Sequence, residues 1–146
     1  MQELHGFYLE DLSIGQSASY AKTITEADVV LFAGISGDDN PVHINAEYAA
    51  RTMFKDRIVH GMFSAALISA VLGTRMPGPG AIYVDQQISF KAPVYIGDTV
   101  TVTATVIDIN LERRRVTLET ICSVKGKVVA QGVATNMVDR RPVEGK

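Results

Sequence analysis

Residues 60–76 read HGMFSAALISAVLGTRM. The stretch carries no charge until Arg75, and it is apolar around most of its circumference when wound as a helix. The pattern predicts a helix from His60 to Met76, about 25 Å long at about 1.5 Å per residue. A helix apolar on all sides must be covered on all sides. Its longest mostly apolar run, Met62 to Leu72, contains two serines and is far short of the ~20 residues a membrane span needs. The helix is therefore expected to be buried in protein.

The residues that follow supply the cover. From Ile82 apolar residues recur at every second place: Ile82, Val84, Ile88, Phe90 and Ala92, with Gln86 breaking the set. Pro93 interrupts the ladder. Val100, Val102, Ala104 and Val106 alternate with threonines, and Val116, Leu118, Cys122 and Val124 repeat the pattern. Residues 128–138 are mixed but rich in β-formers, and Lys125-Gly126-Lys127 suits a tight turn before them. Alternation of this kind gives each strand one buried face and favours antiparallel pairing. The expected fold is α+β: an antiparallel sheet of about five strands wrapped around one long buried helix. Such a sheet leaves edges open, and edge-to-edge pairing into a homodimer would close them.

The first half of the chain frames this core. Ser17 to Ile24 can form a strand after a turn at Ser13-Ile14-Gly15. Thr25 and Asp28 have the spacing of a capping box, so a helix should run to about Ile35 and stop at Gly37. Asn45 can cap a second helix through about Met53. Residues 140–146 read as a polar tail. At 146 residues, with 47% hydrophobic and 21% charged residues, the chain has the size and composition of one globular domain, 1–146. Fourteen basic against sixteen acidic residues give −2, which supplies no basic field for nucleic acid. The single Cys122 excludes an intrachain disulfide and a multi-thiolate zinc site. The N-terminal residues lack the basic start and apolar run of a signal peptide, so the expected compartment is the cytoplasm.

The densest polar cluster is Ser36-Gly37-Asp38-Asp39-Asn40-Pro41-Val42-His43, with His60-Gly61 seventeen residues on. Asp-Asp-Asn-Pro is also ordinary turn chemistry, and a lone histidine is often structural. The alternative is catalytic. Pro41 forces Asn40 into an extended conformation, and the turn from Asp38 to His43 can then bring carboxylate and imidazole to one point. Together they offer an acceptor and a donor/acceptor to a single water. Gly61, at the start of the apolar helix, would leave free N–H groups where an oxyanion could approach. It could equally serve close packing.

Other features carry less. Asp38, Asp39, His43 and His60 lack an established metal-ligand spacing, so no metal is expected. Ser64 and Ser69 lie in an apolar helix without a nucleophile elbow around either. Gly78-Pro79-Gly80 lacks the Lys-Ser/Thr ending of a phosphate loop. Arg113-Arg114-Arg115 suits a solvated hairpin turn, or a contact to phosphate.

Ser36-Gly37-Asp38-x-Asn40-Pro41-Val42-His43, preceded by Phe32-Ala33-Gly34 and followed by Ala49, resembles the hydratase-2 signature of the MaoC-like, (R)-specific enoyl-CoA hydratases. Residues 7–15, Ile58-Val59-His60-Gly61-Met62, Ser89-Phe90-Lys91-Ala92-Pro93-Val94 and Gly97-Asp98 resemble other parts of that family, so the similarity covers nearly the whole chain. The resemblance implies a hot-dog fold, a homodimer and an acyl-CoA thioester as the small-molecule partner. It implies reversible hydration of trans-2-enoyl-CoA to (3R)-3-hydroxyacyl-CoA without a cofactor. By motif position Asp38 would activate water, His43 would share that water and the proton transfer, Asn40 would orient the pair, and the Gly61 amide would polarise the thioester carbonyl. Ser69, Leu72 and Thr135 fall where related short-chain enzymes close the acyl pocket. Lys91 and Arg113 to Arg115 are candidates for the coenzyme A phosphates.

Three other readings stay open at this point. The same site could run as a dehydratase on a substituted 3-hydroxyacyl-CoA. A thioesterase of the same fold would release free coenzyme A but has no need of the Asp-x-Asn-Pro-x-His spacing. A non-catalytic acyl-CoA-binding module would have no reason to keep both Asp38 and His43.

Overall fold

A computed structural model describes residues 2–144. Strand β1 (Ser17–Thr23) is followed by helices α1 (Glu26–Ser36), α2 (Pro41–Ile44), α3 (Ala46–Ala50) and α4 (Gly61–Thr74). Strands β2 (Ile82–Phe90), β3 (Thr99–Asn110), β4 (Arg115–Val124) and β5 (Lys127–Met137) complete the chain. The five strands form one sheet in the order β1-β3-β4-β5-β2, and every neighbouring pair is antiparallel. The sheet curls around α4, and this is the hot-dog architecture. No helix among the described residues is long and apolar enough to cross a membrane.

Alternation builds the inner face of the sheet. Val100, Val102, Ala104 and Val106 of β3 stand beside Val116, Leu118, Thr120 and Cys122 of β4, all of them buried. Against them α4 packs Phe63, Leu67, Ile68, Val71 and Leu72. This i, i+4, i+5 spacing is one helical face. The Sγ of Cys122 lies 3.9 Å from the Ser64 carbonyl, beneath the helix.

Three expectations need correction. The long helix begins at Gly61 and ends at Thr74, because His60 is extended at φ −54°, ψ 134° and only caps it. Nor is α4 covered on all sides within one chain: Met62 is 60% exposed, and Ala66, Ser69 and Gly73 share its open stripe. The helix expected from Asn45 to Met53 stops at Ala50. There the Thr52 hydroxyl donates to the Ala49 carbonyl at 2.7 Å, competing with continued helix.

Strand β2 departs from strict alternation as well. An irregularity between Tyr83 and Asp85 shifts its register against β5. Tyr83 then pairs with Asn136 and Gln86 with Ala134, both inward-facing residues of β5. Ile82 pairs with Met137 on the opposite face. Gln86 thus lies on the inner face with Ile88 and Phe90, and Ile82 does not.

The capping box forms as the spacing predicts. Asp28 N–H donates to Thr25 Oγ1 at 3.1 Å, and Thr25 N–H donates to Asp28 Oδ2 at 2.9 Å. The helix stops at Gly37, whose φ of 78° suits a residue without a Cβ. Of the polar tail expected over 140–146, residues 145 and 146 lie outside the described residues. Its start docks onto the body: Arg141 N–H donates to Glu10 Oε2 at 2.8 Å, its guanidinium pairs with Asp11, and Arg140 donates to the Leu111 carbonyl at 2.7 Å.

Candidate active site

Gly37 reverses the chain out of α1 and delivers Asp38 to an open edge. The Ser36 hydroxyl accepts from Asp38 N–H at 3.1 Å, and Asp38 Oδ1 accepts from Asn40 N–H at 3.3 Å. Pro41 holds Asn40 at φ −49°, ψ 126°, extended as the residue before a proline should be. Asn40 then caps α2, its Oδ1 accepting from Val42 N–H at 3.1 Å. The single turn of α2 carries His43 inward, where it is 7% exposed.

Main-chain contacts fix the His43 ring. Its Nδ1 lies 2.7 Å from the Ile58 carbonyl, which can only accept, so Nδ1 bears the hydrogen. Nε2 is left to face Asp38 Oδ2 at 4.0 Å. Arg57 supports the turn from beneath, donating from Nε to the His43 carbonyl at 2.6 Å and from Nη1 to Glu26 Oε1 and Oε2 at 2.9 and 2.7 Å.

His60 is a member of the site that the motif reading left out of the catalytic set. It is 2% exposed, and its ring stacks on His43 with centroids 3.8 Å apart. Its Nε2–H donates to the Asp38 carbonyl at 2.8 Å, while its buried Nδ1 has no partner among the described residues. Phe32 packs against the same ring at 4.8 Å. No spacing rule reveals this stack, because the two histidines are joined only by tertiary packing. The one signal in the sequence is their shared adjacency to the polar cluster.

Gly61 opens α4 directly after His60. The first N–H groups of a helix have no partner within it, and they carry its positive end. A Cβ at Gly61 would meet the Phe90 ring at 3.0–3.2 Å, so the glycine also serves close packing. A cavity of about 550 Å³ opens here, lined by Asp38, His60, Gly61, Phe90, Lys91 and Val94 among others. Its surface is mostly apolar. His43 sits one step behind Asp38 and does not itself line it.

Asp38, His43, Asn40 and Gly61 are therefore brought together. Ser69, Leu72 and Thr135 are not: none of them lines this cavity. Ser69 is exposed on the open stripe of α4, Leu72 is fully buried against the sheet, and Thr135 pairs with Asp85 and Thr117 on the outer face. Lys91 does line the cavity. Arg113 to Arg115 mark the β3–β4 turn, where Arg115 pairs with Met137 at the far end of β5.

Asp38, His43 and His60 place donor atoms within 4.8 Å of one another, a distance at which three ligands could share an ion. His43 Nδ1 and His60 Nε2 are already committed to main-chain carbonyls, so each ring could offer only its other nitrogen. The arrangement equally suits a water. Two groups 4.0 Å apart can both hydrogen-bond one oxygen at ordinary lengths. A carboxylate and an imidazole sharing a water beside an apolar cavity, with helix N–H groups opposite, can move a proton while an oxyanion is held.

Known proteins resemble this chain closely. Residues 12–135 match the family described as MaoC like domain. The (R)-specific enoyl-CoA hydratase of Rhodospirillum rubrum is 62% identical over 92% of this chain and 93% of its own length. The 3-hydroxybutyryl-CoA dehydratase of Methylorubrum extorquens is 49% identical over 97% and 90%. The unliganded R-hydratase PhaJ1 from Pseudomonas aeruginosa superposes with a TM-score of 0.88 at 44% identity, covering 93% of this chain and 88% of that one. With Asp38 and His43 of the motif facing each other across 4.0 Å, and relatives matching along nearly their whole length, this chain belongs to the MaoC-like family.

Proposed function

We propose that this protein is an (R)-specific enoyl-CoA hydratase, adding water reversibly to trans-2-enoyl-CoA to give (3R)-3-hydroxyacyl-CoA. One observation carries the reading: Asp38, on the wall of an apolar cavity headed by the N-terminus of α4, faces His43 Nε2 just behind it across 4.0 Å.

In the proposed reaction the thioester carbonyl points at the Gly61 N–H. The water held by Asp38 and His43 attacks C3, and the electron pair of the C2–C3 bond shifts toward the thioester oxygen. The helix N–H group holds that developing charge. The water proton passes to the Asp38–His43 pair, and the pair returns one to C2. Asn40 orients both groups by holding the Asp38 carboxylate and capping α2. All members bind one face of the alkene, which accounts for a single stereochemistry. The same catalyst runs the dehydration, as the name of the Methylorubrum relative says of that protein.

The reading includes one domain over 1–146 and a homodimer. Two edges flank the sheet, β1 and β2, and β2 exposes Phe90 on the face that also carries the open stripe of α4. Pairing two β2 edges would satisfy the free ladder and cover that stripe. Lys91 is the cavity's basic residue and is assigned to the coenzyme A phosphates. A cytoplasmic location accords with a lone, buried, free Cys122.

The test is to follow the enoyl-thioester absorbance of crotonyl-CoA and resolve the product on a chiral column. Loss of absorbance with (3R)-3-hydroxybutyryl-CoA as product is expected. Release of free coenzyme A would make the protein a thioesterase, and tight binding without turnover of any chain length would make it a binding module.

A further inference from the structure

Two weak elements carry the Asp38–His43 pair. Helix α2 is a single turn, too short to hold itself, and Asp38 sits in the loop that follows α1. The 4.0 Å between His43 Nε2 and Asp38 Oδ2 must therefore be set from outside both elements.

The segment 57–60 is placed to do this. Val59 N–H donates to the Val94 carbonyl at 2.7 Å and Ile58 bridges to Tyr95, which fix the segment to the body. From there it grips both partners. Ile58 N–H donates to the Val42 carbonyl at 3.2 Å, and the Ile58 carbonyl accepts from His43 Nδ1. His60 Nε2–H holds the Asp38 carbonyl.

Arg57 reaches farther than its neighbours. Its Nε donates to the His43 carbonyl at 2.6 Å, in the last turn of α2, where helix carbonyls need an outside donor and favour a positive charge. Its Nη1 donates to both carboxylate oxygens of Glu26, the first residue of α1. That helix is capped by Gly37, the residue before Asp38. One guanidinium thus ties the helix that carries His43 to the helix that delivers Asp38. The Arg57 side chain is 14% exposed and does not line the cavity, so it acts on the reaction through other residues. The planar fork aims two donors at two partners at once, which a single ammonium cannot do.

Resting on the hydratase reading, we propose that Arg57 is a positioning residue for the reaction: anchored by Glu26, it sets the gap that a water shared by Asp38 and His43 must span. The ion pair itself adds little stability, because Glu26 is largely exposed. What it fixes is geometry, and a displacement of about 1 Å at a reacting group can cost about a hundredfold in rate.

The test measures kcat and KM for crotonyl-CoA in the full chain and in Arg57→Ala, Arg57→Lys and Glu26→Gln, each checked by circular dichroism to be folded at the assay temperature. Arg57→Ala should lower kcat roughly tenfold to a hundredfold. Its KM should stay within about twofold, because no contact to substrate is lost. Arg57→Lys, which can make one of the two contacts at a time, should fall between. Millimolar guanidinium ion should restore part of kcat to Arg57→Ala and none to His43→Gln. Glu26→Gln should lower kcat about threefold, the scale of an exposed ion pair, and it carries the test if Arg57→Ala does not fold. Full kcat in folded Arg57→Ala, or in Glu26→Gln where Arg57→Ala does not fold, overturns the positioning role and leaves the hydratase reading intact. A raised KM with kcat kept overturns it too, by making Arg57 a binding residue. So does a loss in Arg57→Ala that neither lysine nor guanidinium relieves, since the loop has then simply collapsed. Absence of hydration by the unsubstituted protein for every chain length overturns the hydratase reading itself.

Discussion

The Nε2 atom of His43 stands 4.0 Å from Oδ2 of Asp38, too far for a direct hydrogen bond and well placed for one shared water. The two side chains differ sharply in setting: His43 is buried and fixed through Nδ1, whereas Asp38 is about half exposed. The imidazole is the rigid member, and the carboxylate meets substrate. Asp38→Asn and His43→Gln should each lower kcat for crotonyl-CoA hydration at least about a hundredfold, the low end for a lost acid-base group. Asp38→Asn should melt at nearly the original temperature, since its side chain supports only one loop N–H. Retained turnover in both variants would remove this pair from the chemistry.

Gly61 is open to two explanations that one experiment separates. A methyl group there meets the edge of the Phe90 ring at 3.0 Å. Gly61→Ala should lower kcat/KM by roughly tenfold or more, because the same methyl crowds the oxyanion position. Adding Phe90→Leu relieves the ring contact alone. If the double variant stays slow, the amide's access to substrate is the limiting feature. Recovery to the original rate would reduce Gly61 to a packing residue.

The cap of α1 bears on the site because that helix ends at Gly37, next to Asp38. Thr25→Ala should destabilise by about 1 kcal/mol, lowering the melting temperature by roughly 2–4 °C. The Thr25 N–H holds the Asp28 carboxyl below its ordinary value of 3.8, with the Thr25 hydroxyl and Lys22 adding to it. A lowered carboxyl favours folding above its unfolded value and loses that contribution as pH falls through the folded one. Asp28→Asn should therefore narrow the stability difference between neutral and acid pH, as denaturant melts at pH 7 and pH 3 would record.

Cys122 lies fully buried under α4, and burial pushes its thiol up to about 11 from an ordinary 9.0. The folded state keeps this proton more tightly than the unfolded chain. The contribution is whole below pH 9 and disappears as pH rises toward 11. A thiol-specific chromogenic reagent at pH 8 should label Cys122 slowly in the native protein and at once in denaturant. Rapid native labelling would mean that α4 lifts readily from the sheet.

The sequence made the plan legible where one local rule acts alone. Thr25 and Asp28 cap α1 and Gly37 ends it, as their spacing requires. The alternating runs of β3 and β4 place Val102 and Leu118 where expected. Asn40 and Pro41 shape the loop that carries Asp38 toward His43. Legibility fails where distant segments decide. The Arg57 clamp, the stack of His60 on His43 and the register shift that turns Gln86 inward each depend on a partner many residues away. Ser69 and Thr135 are instructive too. Position in a motif family assigned them to a pocket, but within one chain Ser69 lies on an uncovered helix face and Thr135 on the outer sheet face.

The bare stripe of α4, from Met62 to Gly73, also bears on how the protein comes into being. A newly made chain can complete its sheet alone, yet it still shows water a ribbon of its most apolar helix. In the single chain that ribbon is open to any sticky neighbour. If the proposed homodimer forms through this stripe, maturation ends with a bimolecular step whose pace follows the amount of chain present. On the homodimer reading, thermal resistance should climb with protein concentration, and overexpression at low temperature should favour correct pairing over clumping.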